Sequence, residues 1–456
     1  MNTALPRVTI VGGGLAGSEA AWQLVSRGIP VTIHEMRPQT MTKAHKSGSF
    51  AELVCSNSFR GADLSNAVGL LKAELKLLGS LVMEAALVAQ VPAGGALAVD
   101  RDVFSAYVDQ KLRTHPLVEV CEGEVTEIPE PSATNPVIIA TGPLTSKSLA
   151  TAIEQITGRG QLAFFDAISP IILDESIDHS KVFRQSRYDK GEGDDYLNIA
   201  LDEPEYYAFI DAVNKGEKFG GHEEVEADQV DSLRPFEGCM PIEDMIARGP
   251  ETLRFGPFKP TGLTDPRTGR RPHAVAQLRQ DDKGAKLWSM VGMQTRLRHP
   301  EQLRIFRTLP GLEHAEFVRL GSVHRNTFIE SPKCLDATLA FRNRTGLFFA
   351  GQITGVEGYV ESTAGGLLAG VNAARLLNSK PLMTLPIDTA IGALMAYISD
   401  PDRKDFQPMN ISFGLMPTYL EAETRTAKGK KISKSDRRLE AANRALAQLQ
   451  ELAPLL

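Results

Sequence analysis

The sequence predicts an α/β protein whose parallel-sheet core is assembled from both ends of the chain, with an α+β domain inserted between them. Three stretches carry that expectation. RVTIVGGGLAGSEAAWQLVSRGIPVTIHE (7–35) reads as strand, glycine turn, helix and strand. Val137 to Ile139 is a wholly apolar strand that ends in Ala140-Thr141-Gly142, and LFFAGQITGVEGYVESTAGGLLAGVNAARLL (347–377) repeats strand, glycine loop and helix. A unit that opens at Val8 and closes near 378 is one discontinuous domain with other material inside it. The expected boundaries are 1–160 and 310–456 for that domain and 161–309 for the insertion.

In the first stretch, Val8, Ile10 and Val11 form a short β-rich run, and Leu15 to Arg27 reads as a helix that Gly28 can cap. Gly12, Gly14 and Gly17 fit G-x-G-x-x-G: the first permits a tight turn, the second lets backbone approach a pyrophosphate, and the third lets helix and sheet pack closely. The helix start offers unpaired N–H groups and the positive end of its dipole to phosphates. Glu35 ends the next strand at the separation where an acid can accept ribose hydroxyls. This is a Rossmann-like dinucleotide site. In flavoproteins of the glutathione-reductase-like type, a strand and turn such as 137–142 come back beside the glycine loop, which favours FAD over NAD.

The chain has 456 residues and the apolar fraction of an ordinary globular protein, enough for two or three domains. No uncharged apolar run reaches the roughly 18 residues of a membrane span, and the first strand begins without a signal-peptide pattern, so the expected location is cytoplasmic. Cys55, Cys121, Cys239 and Cys334 are widely spaced without C-x-x-C, so no metal site or redox dithiol is written locally. The net charge of −6 is unevenly spread. Asp174 to Asp231 is strongly acidic, whereas Arg248 to Arg298 carries a net +7 and Glu421 to Arg438 a net +4. Such segregation fits an anionic polymer on one face as well as it fits a merely solvated surface.

After Glu35 a polar loop leads to Cys55 within ELVCSNSFR, and loops that follow the second strand of such a domain lie near the cofactor. Asn66 to Leu87 has helical apolar spacing and reads as one amphipathic helix; another begins near Asp102, and Val118 to Ile128 alternates as a strand. From about Gln161 the character changes to aromatic and acidic, marking the insertion. Arg234 to Gly262 is dense in Pro, Gly and Arg, the composition of an ordered functional loop. It displays Cys239, with Arg234, Arg248 and Arg254 as cations that favour a nucleophilic thiolate. The segment 267–297 reads as a hairpin or two turning at Asp281 to Gly284, Pro300 to Leu309 as a short helix, and strands are expected around Gly321 and Leu335.

Taken together, GGGLAGSEAAWQL, HEMRP, ELVCSNSFR, FEGCMPIE and LFFAGQITGVEGYVESTAGGLLAG span most of the chain. They resemble the folate- and FAD-dependent tRNA uracil-5-methyltransferases (TrmFO), which belong with the GidA/MnmG group of tRNA-modifying flavoproteins. The resemblance implies methylation of the T-loop uridine of tRNA to ribothymidine. The one-carbon donor would be 5,10-methylenetetrahydrofolate and the reductant FAD recharged by NAD(P)H. It also implies Cys239 as the thiolate nucleophile and Cys55 as base or second catalytic thiol. Gly12, Gly13, Gly14, Leu15, Ala16, Gly17 and Glu35 would hold the FAD diphosphate and ribose, with Val125, Thr141, Gly142, Gly351 and Gln352 at the remaining contacts. Tyr359 is a candidate for stacking a base, folate or flavin, and Arg248, Arg254 and Lys259 for tRNA phosphates; Lys428 to Arg438 is a second basic choice. A base buried in the T-loop would have to be unstacked to react. Other readings stay open at this point: a flavin oxidoreductase acting on a small metabolite, a ribosomal RNA target or GidA-like product, and a noncatalytic RNA partner.

Overall fold

The computed structural model describes residues 6–42, 44–158, 160, 162–219, 240–420 and 432–456. Cys239, Arg234 and the Lys428 to Lys431 part of the second basic run lie outside the described residues. The first core is a five-stranded sheet, all parallel, in the order Leu347–Phe349, Val137–Ile139, Val8–Val11, Val31–Glu35, Val118–Glu122. Three of these strands come from the first 122 residues and one from position 347 onward, so both ends of the chain build one sheet. Val8, Ile10, Val31, Ile33, Ile138 and Phe348 are fully buried in it, as strands covered on both faces require.

Glycine decides how the helices cover that sheet. Helix Leu15–Val25 and helix Tyr359–Leu377 pack against each other through small residues. A Cβ on Gly366 would lie 2.2 Å from the Ala16 carbonyl oxygen, and one on Gly370 would lie 2.7 Å from that of Ala20. The backbones therefore approach closer than any side chain would permit. The same close contact carries the glycine loop of the second stretch against that of the first, since a Cβ on Gly351 would meet Ala16 Cβ at 2.7 Å.

The inserted domain is a six-stranded antiparallel sheet in the order Phe183–Arg184, Tyr196–Leu201, Ala274–Gln280, Leu287–Met290, Ile171–Leu173, Phe317–Arg319. Helices Glu203–Lys215, Ile242–Ala247 and His299–Phe306 bury Phe209, Ile246, Phe306 and Trp288 in its own core. The hairpin through 281–284 forms as expected. The expected return at 309 moves past Arg319, because Phe317–Arg319 pairs with Ile171–Leu173 in the inserted sheet. The two crossings between domains, Leu162–Ala167 and Val323–Phe328, pair with each other as an antiparallel ribbon.

Three local expectations are corrected. The single helix over 66–87 is two, Ala67–Leu77 and Leu81–Val88, because Gly79 takes φ +72° and Ser80 caps a new start by accepting from Met83 N. The strand from Val118 stops at Glu122, where Gly123 adopts φ +138°. No strand forms at Leu335, which follows the helical turn Ser331–Cys334. Among the described residues no helix is long and apolar enough to cross a membrane.

Gly366→Ala should lower the unfolding free energy by about 2–4 kcal/mol through forced separation of the two helices, read by denaturant titration at constant m-value.

Candidate active site

The glycine loop sits at the carboxyl end of Val8–Val11, where open α/β sheets place their ligands. Each glycine of the motif does a different thing. Gly12, at φ +103°, runs so close to the returning strand that a Cβ would lie 2.5 Å from the Ala140 oxygen. Gly17 packs onto the loop itself, with a virtual Cβ 1.8 Å from the Gly12 oxygen. At Gly14 a Cβ would meet nothing within 4 Å, and the helix that starts at Leu15 has no side-chain cap. That combination leaves unpaired N–H groups and a positive dipole end facing open space, the arrangement that holds phosphate oxygens.

That space is a cleft open to solvent. All the predicted cofactor positions except Gly13 and Gly17 line it, including Val125, Thr141, Gly142, Gly351 and Gln352. Gly13 and Gly17 act behind it: Gly13 is buried against Phe50 and Glu35, and Gly17 against Gly12. Sequence reasoning did not single out Arg37, Glu52 or Gly123, which also line the cleft. The HEMRP motif was the signal for Arg37.

Glu35 is 4% exposed and lines the cleft while holding the loop. Its Oε2 accepts from Gly13 N at 2.8 Å and Arg37 Nη2 at 3.1 Å; its Oε1 accepts from Arg37 N at 3.0 Å and Arg37 Nε at 2.9 Å. Burial alone would raise this carboxyl. The hydrogen bonds and charge of Arg37, with the Gly13 N–H, outweigh it and hold the pKa below the usual value.

A second chamber adjoins the cleft. Val54, Pro143, Leu144, Gln352 and Tyr359 line both, so the two spaces share walls. Cys55 lines the second chamber and is partly exposed. The polar loop that bears it is fixed from three distant parts of the chain. Tyr359 Oη accepts from Cys55 N at 2.9 Å and Ser56 N at 3.1 Å. Arg319 Nη2 donates to the Val54 carbonyl at 2.5 Å, and Arg279 donates to Ser56 Oγ and Asn57 Oδ1, both at 3.0 Å. Tyr359, expected to stack a ligand, thus spends its hydroxyl on the Cys55 segment and its ring on Phe59, with centroids 5.7 Å apart. Burial pushes its phenol well above the usual range, so it stays protonated.

The three cations expected on the RNA side lie elsewhere. Arg248 and Lys259 are exposed on the inserted domain, whereas Arg254 pairs with Glu251 and donates from Nε to the His273 carbonyl at 3.0 Å. None of them lines either cavity. Cys121 lies on the edge strand Val118–Glu122, and Cys334 is buried as a packed thiol.

Fold and site together define a dinucleotide-binding α/β protein of the flavoprotein type, with a thiol in a chamber beside the cofactor cleft. Structural comparison agrees. The chain superposes on Aquifex aeolicus GidA with a TM-score of 0.69 over 100% of this chain and 75% of that chain, at 17% identity. The family model described as glucose inhibited division protein A matches residues 7–381. A protein of Geotalea uraniireducens named methylenetetrahydrofolate--tRNA-(uracil-5-)-methyltransferase TrmFO is 55% identical, covering 97% of this chain and 98% of its own length. A protein of the same name from Symbiobacterium thermophilum is 54% identical over 95% of this chain and 96% of its own. The chain therefore belongs to the glucose inhibited division protein A family, on its TrmFO branch.

Two outcomes follow from the loop geometry. Gly14→Ala should leave stability within about 0.5 kcal/mol but weaken flavin binding, while Gly17→Ala should cost about 3 kcal/mol of stability; flavin titration and denaturant curves separate them. Because the folded pKa of Glu35 is depressed, its contribution is fully present above the ordinary value of 4.5 and is lost as pH falls through the lower folded value. Glu35→Gln should flatten that acid limb of the stability curve.

Proposed function

We propose that this chain methylates C5 of the T-loop uridine of tRNA, with 5,10-methylenetetrahydrofolate as carbon donor and FAD, reduced by NAD(P)H, as electron source. The names of the relatives supply the reaction; what supports it in this chain is that the glycine cleft and the Cys55 chamber share walls. A thiol can then act on a base brought up to a bound flavin.

The residues fit FAD. The open Gly14 position and uncapped helix start suit the diphosphate, Thr141 and Gly142 form the returning turn, Gly351 lines the cleft, and Gln352 stands between the cleft and the chamber. Glu35 is the ribose candidate, and a ribose hydroxyl would share its oxygens with Arg37. Bound and reduced, the flavin supplies the two electrons that turn a methylene into a methyl group.

The chain supplies the rest. Uracil C5 is a weak nucleophile until a thiolate adds to C6, and Cys239 takes that role. Once C5 has bonded to the one-carbon unit, Cys55 removes the C5 proton as the C–N bond to tetrahydrofolate breaks; after the methylene has taken up two electrons, elimination of Cys239 restores the ring double bond. Ile242, three residues after Cys239, donates its N–H at 2.8 Å to the carbonyl of Gln294, a wall of the Cys55 chamber. Exposed Arg248, Lys259, Arg270 and Arg271 are the phosphate contacts of the inserted domain. Arg254 contributes to its fold.

Incubating the protein with FAD, NADPH, methylenetetrahydrofolate and unmodified tRNA transcript should give 5-methyluridine without S-adenosylmethionine. Cys55→Ala and Cys239→Ala should each lower the rate at least a hundredfold or so, the scale of a lost proton-transfer or nucleophilic group. NADPH oxidation with untouched RNA would instead mark a flavin oxidoreductase.

A further inference from the structure

Arg60 has no part in the reaction as written above, yet the structure places it with unusual care. It is a non-glycine residue at φ +63°, a left-handed conformation that costs about 1–2 kcal/mol and persists only where the surroundings impose it. Here they do. Lys72, 5% exposed, donates Nζ to the carbonyls of Phe59 at 2.7 Å and Gly61 at 2.8 Å, with that of Arg60 at 3.5 Å. Ser58 Oγ accepts from Arg60 N at 3.0 Å. The buried Lys72 amino group thus gathers three successive carbonyls around one turn, and the turn aims the Arg60 side chain at the chamber that holds Cys55.

The guanidinium is steadied there from behind. Its Nη2 pairs with Glu361 Oε1, a fully buried carboxylate on the first turn of Tyr359–Leu377 that also accepts from Ile411 N at 3.1 Å. Gly358 leaves the room for it: a Cβ at that position, φ +112°, would fall 2.4 Å from Glu361 Oε2 and 3.1 Å from Arg60 Nη2. Of five N–H donors, Arg60 uses one nitrogen on Glu361 and finds no other protein acceptor among the described residues. The side chain is 39% exposed, whereas Arg279 is buried and Arg101 is 15% exposed, and both of these other cations of the chamber are committed to the Cys55 segment.

We propose that Arg60 is an oxyanion contact at the rim of the Cys55 chamber, and that the oxyanion is the phosphodiester of the target uridine. This rests on the RNA-methylation reading. A nucleotide whose base reaches Cys55 leaves its charged backbone at the chamber's opening, and an exposed guanidinium with free donors is the group that recognises phosphate there. The carboxylates of the folate glutamate tail are the competing source of the same chemistry.

The test uses full-length, FAD-loaded protein. Arg60→Gln should raise the KM for tRNA roughly tenfold, as expected for one lost charge-assisted contact, and reduce the salt slope of tRNA binding by about 0.7–0.9. Arg60→Lys, which keeps the charge and the Glu361 pair, should recover the slope and part of the KM. Flavin content and melting temperature report the fold, and if Arg60→Gln loses either, the KM of Arg60→Lys for tRNA decides: it should stay above that of wild type, and a KM equal to wild type overturns the proposal. Unchanged tRNA binding and salt slope overturn the proposal. A rise confined to the KM for methylenetetrahydrofolate, steeper with a polyglutamate than a monoglutamate tail, also overturns it and assigns the site to folate. Failure of the underlying reading is separate, because then wild type itself makes no 5-methyluridine.

Discussion

The arrangement of this protein depends on one side chain, Asn57. Fully buried, it uses both N–H donors and the oxygen of its amide: Nδ2 donates to the carbonyls of Val99 and Gln280, both at 3.0 Å, and Oδ1 accepts from Arg279 Nε. Val99 belongs to the small antiparallel sheet of the first domain, whereas Arg279 and Gln280 end a wholly buried strand of the second. A satisfied amide between two domains is costly to disturb, since either side left alone would bury unpaired polar groups. Cys55 lies two residues away, so the interface that orders the domains also sets the thiol.

Around that point the chain converts ordinary polar chemistry into position. Arg101, Arg279 and Arg319 reach the 53–57 segment from separate elements and bond mostly to carbonyl and hydroxyl oxygens. Asp281 stands beside them, accepting from Ser289 Oγ at 2.5 Å and approached by Arg101 at 3.4 Å. Burial pulls the guanidinium pKa of Arg279 and of Arg319 downward, the direction expected where charge leaves water. An excess of positive charge around a thiol and a substrate chamber suits chemistry in which negative charge develops at sulfur or on a base.

The cofactor cleft follows a different logic, exclusion of side chains. Gly12, Gly17, Gly351, Gly366 and Gly370 each stand where a Cβ would collide with backbone or with Ala16, and together they draw two helices and two loops to one edge of the parallel sheet. Gly14, by contrast, faces open space, as do Gly123 and Gly142 in the same cleft. The cleft is therefore shaped by close packing, while the chamber beside it is shaped by hydrogen bonds, and Gln352 and Tyr359 belong to both.

Much of this was legible in order along the chain. Strand, glycine turn and helix are local patterns, and the period of the apolar residues with the spacing of the glycines determined the parallel core, its discontinuity and the cleft lining. Where local signals competed, as at Gly79-Ser80 inside an apparently continuous amphipathic run, the turn residue and its cap prevailed over the period. What only the tertiary structure decided was the long-range pairing: Asn57 with Arg279, Tyr359 with Cys55, Arg60 with Glu361 and Lys72, and the second domain's extent to Arg319. The physical reason is that a buried polar group needs a partner of complementary chemistry but carries no mark of where in the sequence it lies, and separations of 222 and 304 residues leave no period to read.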